Sequence, residues 1–493
     1  MNVSPNSARV LPAYGAVIRL LAALAALALV FPAAAAAARP NIVVIETDDQ
    51  RADEMPSLPH AERLIGGQGI AFRDSIISES QCCPSRATLQ TGEYAHNHGV
   101  LDTNPPFGGF RAFRPAQSLG VWLQHAGYAT ALIGKYFNGY GKDRPRYIPP
   151  GWTDWHGVLG PYLYRFFNSR TNDNGRIHRR DGQYQTDTLT ALAERFLHAP
   201  ARRARPFFLW LTYVAPHVGG PEDPFVERRH GSTVASPIFE NAFLGAQMPL
   251  NPAFDEADVS DKPAGIRRRP PIGPREAAIL QDTWRTRQQA LASVDEGVLR
   301  VMRVLRQTGR LRNTLVIFTS DNGYVLGEHR VRSGKVLPYE PSIRVPLLMR
   351  GPGVPRGVTS DQLVWNGDLA PTILHAAGAH APWPMDGESL WPFIRHPHRT
   401  VDRAVELEAP PIGSVNPTPR YTGVHTDRYV YAEWTFTGEK ELYDLRRDPY
   451  ELRNLAGRPG AAALQARLAE TLRRLRACLG ASCRAAMSHA RAG

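Results

Sequence analysis

The sequence predicts an α/β fold: a large mixed, mostly parallel sheet with helices on both faces, followed by a small C-terminal subdomain with an antiparallel sheet and a helix. Up to about residue 400, continuous apolar runs alternate with amphipathic segments, as buried parallel strands alternate with helices. Beyond residue 400, apolar and polar residues alternate, which is typical of half-exposed antiparallel strands. At 493 residues the chain is too long for one small core, so two packed units are expected.

The predicted strands of the large sheet are rich in β-branched and aromatic residues. They cover 41–46, 128–133, 206–214, 314–319 and 345–350. The predicted helices around them cover 118–126, 186–197, 275–307 and 369–377. Residues 138–185 and 218–275 are predicted as loops, and the second is long enough to be functional. The C-terminal part carries predicted strands at 404–408 and 428–434 and a final helix at 461–477.

The N-terminal residues 1–38 are predicted to be a signal peptide. Arg9 and Arg19 precede an uncharged stretch rich in leucine and alanine, and small residues at 33–38 offer cleavage sites. An uncleaved membrane anchor is the alternative, but Pro32 and the weakly apolar alanines favour cleavage. We therefore expect an exported protein, periplasmic or extracellular (lysosomal in a eukaryote), with no stable membrane insertion after cleavage. The domains expected from the sequence are 39–400 and 401–493.

The chain is basic, chiefly through arginine, and carries a pair of cysteines near its C-terminus. Net charge is +12, yet only five of the 58 basic residues are lysines. Compositional bias explains most of the arginines, attraction to an anionic substrate is the functional alternative, and we predict no nucleic-acid partner. Near the C-terminus, Cys478 and Cys483 flank a short glycine-containing loop, so a disulfide between them is plausible in an exported chain.

Polar residues follow four of the predicted strands. They are Asp48, Asp49, Lys135, His217, Asp321 and Asn322. Singly, each could be a helix cap or a turn residue. Because ligands of parallel sheets bind beyond the carboxyl ends of the strands, we expect these side chains to converge. The carboxylates and the amide offer only oxygen ligands, which suits calcium or magnesium rather than zinc, and calcium is favoured because its coordination is looser.

The segment Gln81–Arg86 contains two adjacent cysteines before Pro84. Residues 88–91 are predicted to form a short helix that ends at Gly92. A reactive group at Cys82 would lie near a helix N-terminus, where backbone N–H groups favour an anion, and Arg86 could turn toward the same anion. Two inert thiols are the alternative.

The pattern Cys82-x-Pro84-Ser85-Arg86, followed by Thr91-Gly92, resembles the signature of the type I sulfatases, which have an alkaline phosphatase-like fold. The resemblance extends to Thr47-Asp48-Asp49, Gly134-Lys135, His217, Asp321-Asn322-Gly323, Lys335 and the stretch at 442–455. In that family the first cysteine of the motif is oxidised to formylglycine. The resemblance therefore implies modification of Cys82 rather than Cys83, and a formylglycine-generating maturation enzyme as a partner.

The resemblance also implies the roles of the site residues. One calcium would be held by Asp48, Asp49, Asp321, Asn322 and the modified Cys82. Arg86, Lys135 and Lys335 would neutralise the sulfate oxygens, and His217 or Lys335 would protonate the leaving alcohol. One hydroxyl of the hydrated formylglycine would attack sulfur, activated by Asp321, and the other would then expel sulfate.

The stretch 134–140 departs from the pattern of many sulfatases, which carry a histidine two residues after Lys135. Here that position is Phe137, followed by Asn138, and the stretch resembles the glucosamine-6-sulfatase branch. The expected substrate is thus a sulfated small molecule or glycan, with 6-O-sulfated glucosamine of glycosaminoglycans as the specific expectation and arylsulfatase activity as the broader one. The alternatives are a phosphomonoesterase or phosphodiesterase on the same fold, which a cysteine at position 82 disfavours, and a non-catalytic sulfated-glycan-binding protein.

Overall fold

Sixteen β-strands in the described part of the computed structural model are distributed over three sheets. The structure describes residues 1–4, 39–199, 205–220, 232–409 and 420–488. All elements named below belong to the unit that begins at Pro40. Most of the predicted signal peptide lies outside the described residues.

The main sheet has ten strands in the order β11-β2-β10-β9-β1-β8-β4-β5-β6-β7. Their bounds are β1 Asn41–Thr47, β2 Ile70–Phe72, β4 Ala129–Gly134, β5 Asp154–Val158, β6 Ser169–Asp173, β7 Arg176–Arg180, β8 Phe207–Thr212, β9 Thr314–Ser320, β10 Leu347–Arg350 and β11 Val358–Ser360. The strands from β9 to β5 run parallel, whereas β10, β6 and β7 join antiparallel. A two-stranded sheet pairs β3 Ser75–Ile76 with β12 Val364–Trp365. The predicted mixed, mostly parallel sheet is confirmed.

Helices cover both faces of the main sheet because its central strands are apolar on both sides. Along β1, Ile42 and Val44 face one apolar cluster, and Val43 and Ile45 face another. The helices are Pro59–Leu64, Cys82–Thr91, Ala95–His98, Gly109–Ala112, Leu119–His125, Gln185–His198, Ala264–Arg267, Pro274–Gln307, Glu340–Ile343, Leu369–Ala377, Trp391–Arg395, Ala462–Leu475 and Ala481–Ser488. Every residue of β1, β4, β8 and β9 is buried, as expected of strands between two helical layers.

Three local predictions were wrong. Residues 138–185 contain β5, β6 and β7, which the sequence analysis assigned to loops. These strands lie toward one edge of the sheet, and β7 (Arg-Ile-His-Arg-Arg) lacks the apolar pattern because it is largely exposed. The helix predicted at 88–91 begins at Cys82, since a proline in the first turn needs no N–H partner. A further helix, Ala481–Ser488, follows the one predicted to be last.

The C-terminal sheet is antiparallel, in the order β13-β14-β15-β16. Its strands are β13 Ala404–Ala409, β14 Tyr421–Thr426, β15 Tyr429–Trp434 and β16 Lys440–Asp444. The helix Ala462–Leu475 packs on it, and Tyr94 and Trp365 belong to the same apolar cluster. Cys478 and Cys483 form a disulfide. Among the described residues, no helix combines the length and apolarity needed to cross a bilayer.

Candidate active site

The predicted polar residues converge at the carboxyl edge of the central strands. Thr47 of β1 is paired with Ser320 of β9, so Asp48-Asp49 and Asp321-Asn322 leave the sheet side by side. Lys135 follows β4, and His217 lies five residues beyond β8. Cys82 opens its helix, and Lys335 reaches the site from a loop. The arrangement follows from parallel pairing, because the carboxyl ends of neighbouring parallel strands lie at the same edge of the sheet.

Asp49 is held in a left-handed conformation, with φ of 68°. Its backbone N–H donates to Asp321 Oδ1 at 3.2 Å, and its carbonyl accepts from Arg287 Nη2 at 2.6 Å. Arg287, on the helix Pro274–Gln307, is itself fixed by Glu54 at 2.6 Å. Backbone strain of this kind persists only where the surroundings fix it, and here the bonds aim two carboxylates at one point.

Three cationic side chains balance these carboxylates. Lys135 Nζ donates to Asp48, and Lys335 Nζ donates to Asp49. Arg86 Nε donates to Asp321 Oδ2 at 2.8 Å, and Arg86 Nη1 lies 3.2 Å from Glu46 Oε2. All these side chains are buried except that of Lys335, which remains 16 % exposed.

The neighbouring charges lower the pKa of two site carboxyl groups and leave the pKa of a third one raised. Burial alone would favour protonation, but Lys135, His217 and Arg86 hold the pKa of Asp48 below its ordinary value. Lys335 and His217 do the same for the pKa of Asp49, again against burial. Burial and the nearby charge of Asp48 instead raise the pKa of Asp321 to about 6, against the opposing charge of Arg86. The protein thus keeps at least two carboxylates ionised at one buried point.

These residues fit a hard divalent cation. Asp49 Oδ2 is buried without a hydrogen-bond partner among the described residues. Ligand atoms of Asp48, Asp49, Cys82 and His217 lie within 4.8 Å of one another. Asn322, however, points its amide nitrogen at Asp49 Oδ1, at 2.5 Å, so its amide must turn over for the oxygen to face a cation. Carboxylate oxygens dominate the donor set, as calcium and magnesium prefer.

The two adjacent cysteines have different surroundings. Cys82 Sγ lies 3.4 Å from Asp48 Oδ1 and 2.9 Å from Lys335 Nζ, and is therefore inside the charged cluster. Cys83 belongs to the apolar core, where its sulfur accepts from Asn138 N–H at 3.2 Å. Burial raises the pKa of both thiols. An unmodified Cys82 is thus a poor nucleophile, since the thiolate is the reactive form.

His217 reaches the site with a defined ring orientation. Its Nδ1 lies 2.7 Å from the carbonyl oxygen of Val218, which fixes Nδ1 as the protonated nitrogen of the neutral ring. Nε2 then faces Asp49 Oδ2 at 3.6 Å. Burial lowers the pKa of His217, against the nearby carboxylates.

Sequence reasoning missed three residues that contact this site. Tyr164 stacks on His217, with ring centroids 4.2 Å apart, and Asn138 Nδ2 donates to Tyr164 Oη at 2.9 Å. Glu46 lies beneath Arg86, and burial raises the pKa of Glu46 to about 7 despite that charge. Glu46 could have been found, because a carboxylate inside an apolar strand needs a partner. Tyr164 carried no such signal, since it lies in a segment predicted as a loop.

Comparison with known proteins gives two matching family models. The model described as "Sulfatase" matches residues 40–379, and the model described as "N-sulphoglucosamine sulphohydrolase, C-terminal" matches residues 327–478. An arylsulfatase of Volvox carteri is 33% identical over 499 residues, covering 92% of this chain and 76% of the relative. The human N-acetylglucosamine-6-sulfatase is 34% identical over 381 residues, covering 74% and 66%.

Other relatives are longer than this chain. A Caenorhabditis elegans homolog of the extracellular sulfatase Sulf-1 is 38% identical over 364 residues, covering 72% of this chain but 49% of the relative. Among solved structures, one in complex with its substrate D-glucosamine-2-N,6-O-disulfate has a TM-score of 0.75 at 24% identity, covering 88% of this chain and 97% of that one. The phosphonate monoester hydrolase of Silicibacter pomeroyi has a TM-score of 0.65 at 23% identity, covering 92% and 96%. At these identities the two structures show a shared fold.

Proposed function

Because this chain belongs to the sulfatase family, we propose that it hydrolyses sulfate monoesters through an oxidised Cys82 and one bound divalent cation. The observation that carries the proposal is the position of Cys82 Sγ, which lies against both Asp48 and Lys335 at the buried edge of the sheet. A sulfate ester is negatively charged and repels nucleophiles. The Lys335 ammonium, 2.9 Å from Cys82 Sγ, and a cation held by the neighbouring carboxylates would offset that repulsion.

We propose calcium as the cation. Asp48, Asp49 and Asp321 would hold it, with Asn322 after its amide turns over, and it would polarise the sulfate oxygens and the group at position 82. The buried Asp49 Oδ2 that lacks a hydrogen-bond partner among the described residues supports the assignment. Magnesium is the second candidate, but it prefers a more regular octahedral shell.

The role of residue 82 depends on its modification. Oxidation of the thiol to formylglycine, followed by hydration, would supply two hydroxyls on one carbon, one to attack sulfur and one to release sulfate. Asp321 accepts from Arg86 at 2.8 Å and is the carboxylate that we assign to remove a proton at this position. The pair Cys83 and Asn138 keeps the second thiol in the core, away from this chemistry.

The remaining side chains would bind the sulfate and protonate the leaving oxygen. Lys135 and Lys335 place ammonium groups on the two sides of the Asp48-Asp49 pair. Arg86 is fully buried under Asp321 and supports it rather than reaching outward. The Lys335 ammonium is available to donate a proton to the leaving alcohol, and His217 would donate one from Nε2 in its doubly protonated form.

As substrate we propose 6-O-sulfated glucosamine, alone or in a glycosaminoglycan. Support comes from relatives named N-acetylglucosamine-6-sulfatase and from the structural neighbour solved with a glucosamine disulfate. We also propose that the protein is exported, as the N-terminal sequence and the relatives named extracellular sulfatase suggest. A formylglycine-generating enzyme is the partner that this function requires.

Hydrolysis of phosphonate or phosphate esters is the second candidate function. It is favoured by one observation, the structural similarity to a phosphonate monoester hydrolase. The same site could also bind a sulfated glycan without turnover if Cys82 stayed unmodified.

The deciding experiment compares substrates on protein in which oxidation of residue 82 has been verified by peptide mass spectrometry. We expect turnover of glucosamine 6-sulfate at a higher kcat/KM than of 4-nitrophenyl sulfate, and little turnover of the matched phosphate and phosphonate esters. A preference for the phosphorus esters would support the second function. Absence of turnover in verified formylglycine protein would overturn the proposal.

The vicinal cysteines provide a matched pair of variants. Cys82→Ala is expected to lose at least about 10³-fold in kcat, whereas Cys83→Ala should retain most activity because its contacts are in the core. Cys82→Ser should be nearly inactive and accumulate a sulfated enzyme, because it can attack sulfur but lacks the second hydroxyl. Wild-type rates in Cys82→Ala would contradict the mechanism.

A further inference from the structure

Tyr164 joins the segment between β5 and β6 to the segment that carries His217. Its ring lies parallel to the imidazole, with centroids 4.2 Å apart and planes inclined by 15°. Its backbone carbonyl accepts from Gly220 N–H at 2.7 Å. The side chain is only partly buried. The stacking and the backbone bond to Gly220 therefore fix the tyrosine ring against His217, and Tyr164 is not fully enclosed by protein.

The Tyr164 hydroxyl accepts hydrogen bonds but donates none within the described ranges. It accepts from Asn138 Nδ2 at 2.9 Å and from Lys135 Nζ at 3.4 Å, which occupies both oxygen lone pairs. Within the described ranges, no acceptor takes its hydrogen. The O–H therefore stands beside the Lys135 ammonium as a free donor. Since that ammonium is proposed to bind a sulfate oxygen, the neighbouring hydroxyl is placed to donate to the same group.

Position 137 cannot supply a polar group here. The ring of Phe137 stacks on Phe113, with centroids 4.3 Å apart, inside the apolar core. The next residue, Asn138, instead turns its amide to Tyr164. The polar side chain next to Lys135 is thus Tyr164, which belongs to the segment between β5 and β6 and is oriented by Asn138.

We propose that Tyr164 has two roles in the reaction, an inference that rests on the sulfatase function proposed above. Its hydroxyl donates a hydrogen bond to an oxygen of the bound sulfate group. Its ring positions His217, so that Nε2 faces the reacting oxygen atoms while Nδ1 stays bonded to the Val218 carbonyl. The first role concerns the sulfate, which all substrates share, and the second concerns protonation of the leaving alcohol.

The two roles separate when two variants are assayed on two substrates. Tyr164→Phe keeps the ring and removes only the hydroxyl, so kcat/KM should fall about 10- to 100-fold on both glucosamine 6-sulfate and 4-nitrophenyl sulfate. Tyr164→Ala also removes the stacking. It should lose about a further 10-fold on the sugar sulfate alone, because an alcohol needs a proton to leave and 4-nitrophenolate does not.

Tyr162 provides the matched control, two residues earlier in the same segment. Its ring packs against the Arg170 guanidinium, 4.2 Å from the ring centroid, and not against His217. Tyr162→Ala and Tyr162→Phe should stay within about 3-fold of wild type on both substrates. Thermal melts and calcium content are measured for every variant, so that a loss of activity caused by unfolding or by a missing cation is recognised.

The outcomes are distinct. An unchanged kcat/KM in Tyr164→Phe overturns the hydroxyl contact, and this single-atom change carries that test even if Tyr164→Ala does not fold. An equal extra loss on both substrates in Tyr164→Ala, or an equal loss in Tyr162→Ala, overturns the positioning of His217. A wild-type enzyme inactive on both substrates would instead contradict the proposed function. Active wild type with unaffected Tyr164 variants would contradict this inference alone.

Discussion

Two clusters of buried carboxyl groups in this chain contrast with each other. The active-site cluster consists of Asp48, Asp49 and Asp321, and lysine and arginine side chains lie against it. The β13 cluster consists of Glu406 and Glu408, beside His96. Both are almost inaccessible to solvent. They differ in their partners, and burial alone therefore does not decide the charge that a carboxyl group carries.

In the β13 cluster most partners are hydrogen-bond donors of modest charge. Glu408 accepts from the backbone N–H groups of Ala95 and His96 at 3.0 and 3.1 Å, and from His96 Nδ1 at 2.8 Å. Glu406 Oε2 has no hydrogen-bond partner among the described residues, and burial and the adjacent Glu408 raise the pKa of Glu406 well above its ordinary value. The first cluster is thus held ionised, as the proposed cation site requires, whereas the second fastens a helix to a strand.

The largest effect should follow removal of the cation. Chelation is expected to lower kcat by at least about 10³-fold and to lower Tm, because a ligand that binds only the folded state stabilises it. Calcium should restore both. The chelator response of Glu408→Gln serves as the control and should equal that of wild type. Full turnover after stripping would contradict the view that the active-site cluster exists for a cation.

A smaller effect, on stability alone, is expected in the β13 cluster. Glu408→Ala removes three hydrogen bonds at once and should lower the free energy of unfolding by about 2–4 kcal/mol, measured by urea denaturation. Glu408→Gln keeps an acceptor for the helix and should lose about half as much. Per folded molecule, kcat of both variants should stay within about 3-fold of wild type. A selective loss of kcat would show that the two clusters are coupled.

The Cys478–Cys483 disulfide also contributes to the attachment of the helix Ala95–His98. The carbonyl of Cys478 accepts from Asn97 Nδ2 at 3.1 Å and lies 3.2 Å from His96 Nε2, so the Cys478–Cys483 loop packs on the helix that Glu408 caps. Replacing both cysteines by alanine should cost about 2 kcal/mol, since the closed loop is short. Reduction of wild type should give the same shift in urea midpoint. A change in KM would instead connect this loop to substrate binding.

The smallest effect concerns pH. Because the folded pKa of Glu406 is raised, the folded state retains a proton that the unfolded state releases, so this group lowers stability as pH rises from about 5 toward the folded pKa. Glu406→Gln should therefore gain stability relative to wild type as pH rises from 5 to 8, because glutamine has no proton to release. The charged groups that surround it are Glu408, Arg476, Asp386 and His96. A variant that loses stability relative to wild type over the same pH range would show that Glu406 is ionised in the folded protein.

The sequence predicted the centre of the fold better than its edges. The strands at 41–46 and 314–319 and the helix at 369–377 agree with the structure to within a residue, because each is apolar enough to be recognised alone. The strands β6 and β7 were missed because their residues are mostly polar, although they form a local hairpin. The Asn174-Gly175 turn between them, with both residues at positive φ, is a sequence signal that could have identified this hairpin.

The site was predictable to the extent that short motifs encode it. Asp48, Cys82, Lys135, His217 and Lys335 were all placed in one pocket by the rule for strand ends and by family resemblance, and the structure brings them together. Tyr164 and Glu46 were not placed, because their importance lies in the partner each meets. The amide orientation of Asn322 was likewise beyond sequence reasoning.

The pairing of β1 with β9 determines when, during synthesis of the chain, the site around Cys82 can form. Arg86 meets Asp321 across 235 residues of chain, and Asn322 meets Asp49 across 273. At about 5–20 residues per second, a ribosome needs roughly 10–50 s to make the intervening segment. Throughout that interval Cys82 has no pocket to enter, whereas in the finished fold it is 1 % exposed. Any enzyme that oxidises Cys82 must act within this interval or on a chain kept unfolded for export, so a faster-folding variant would leave more of its cysteine unconverted.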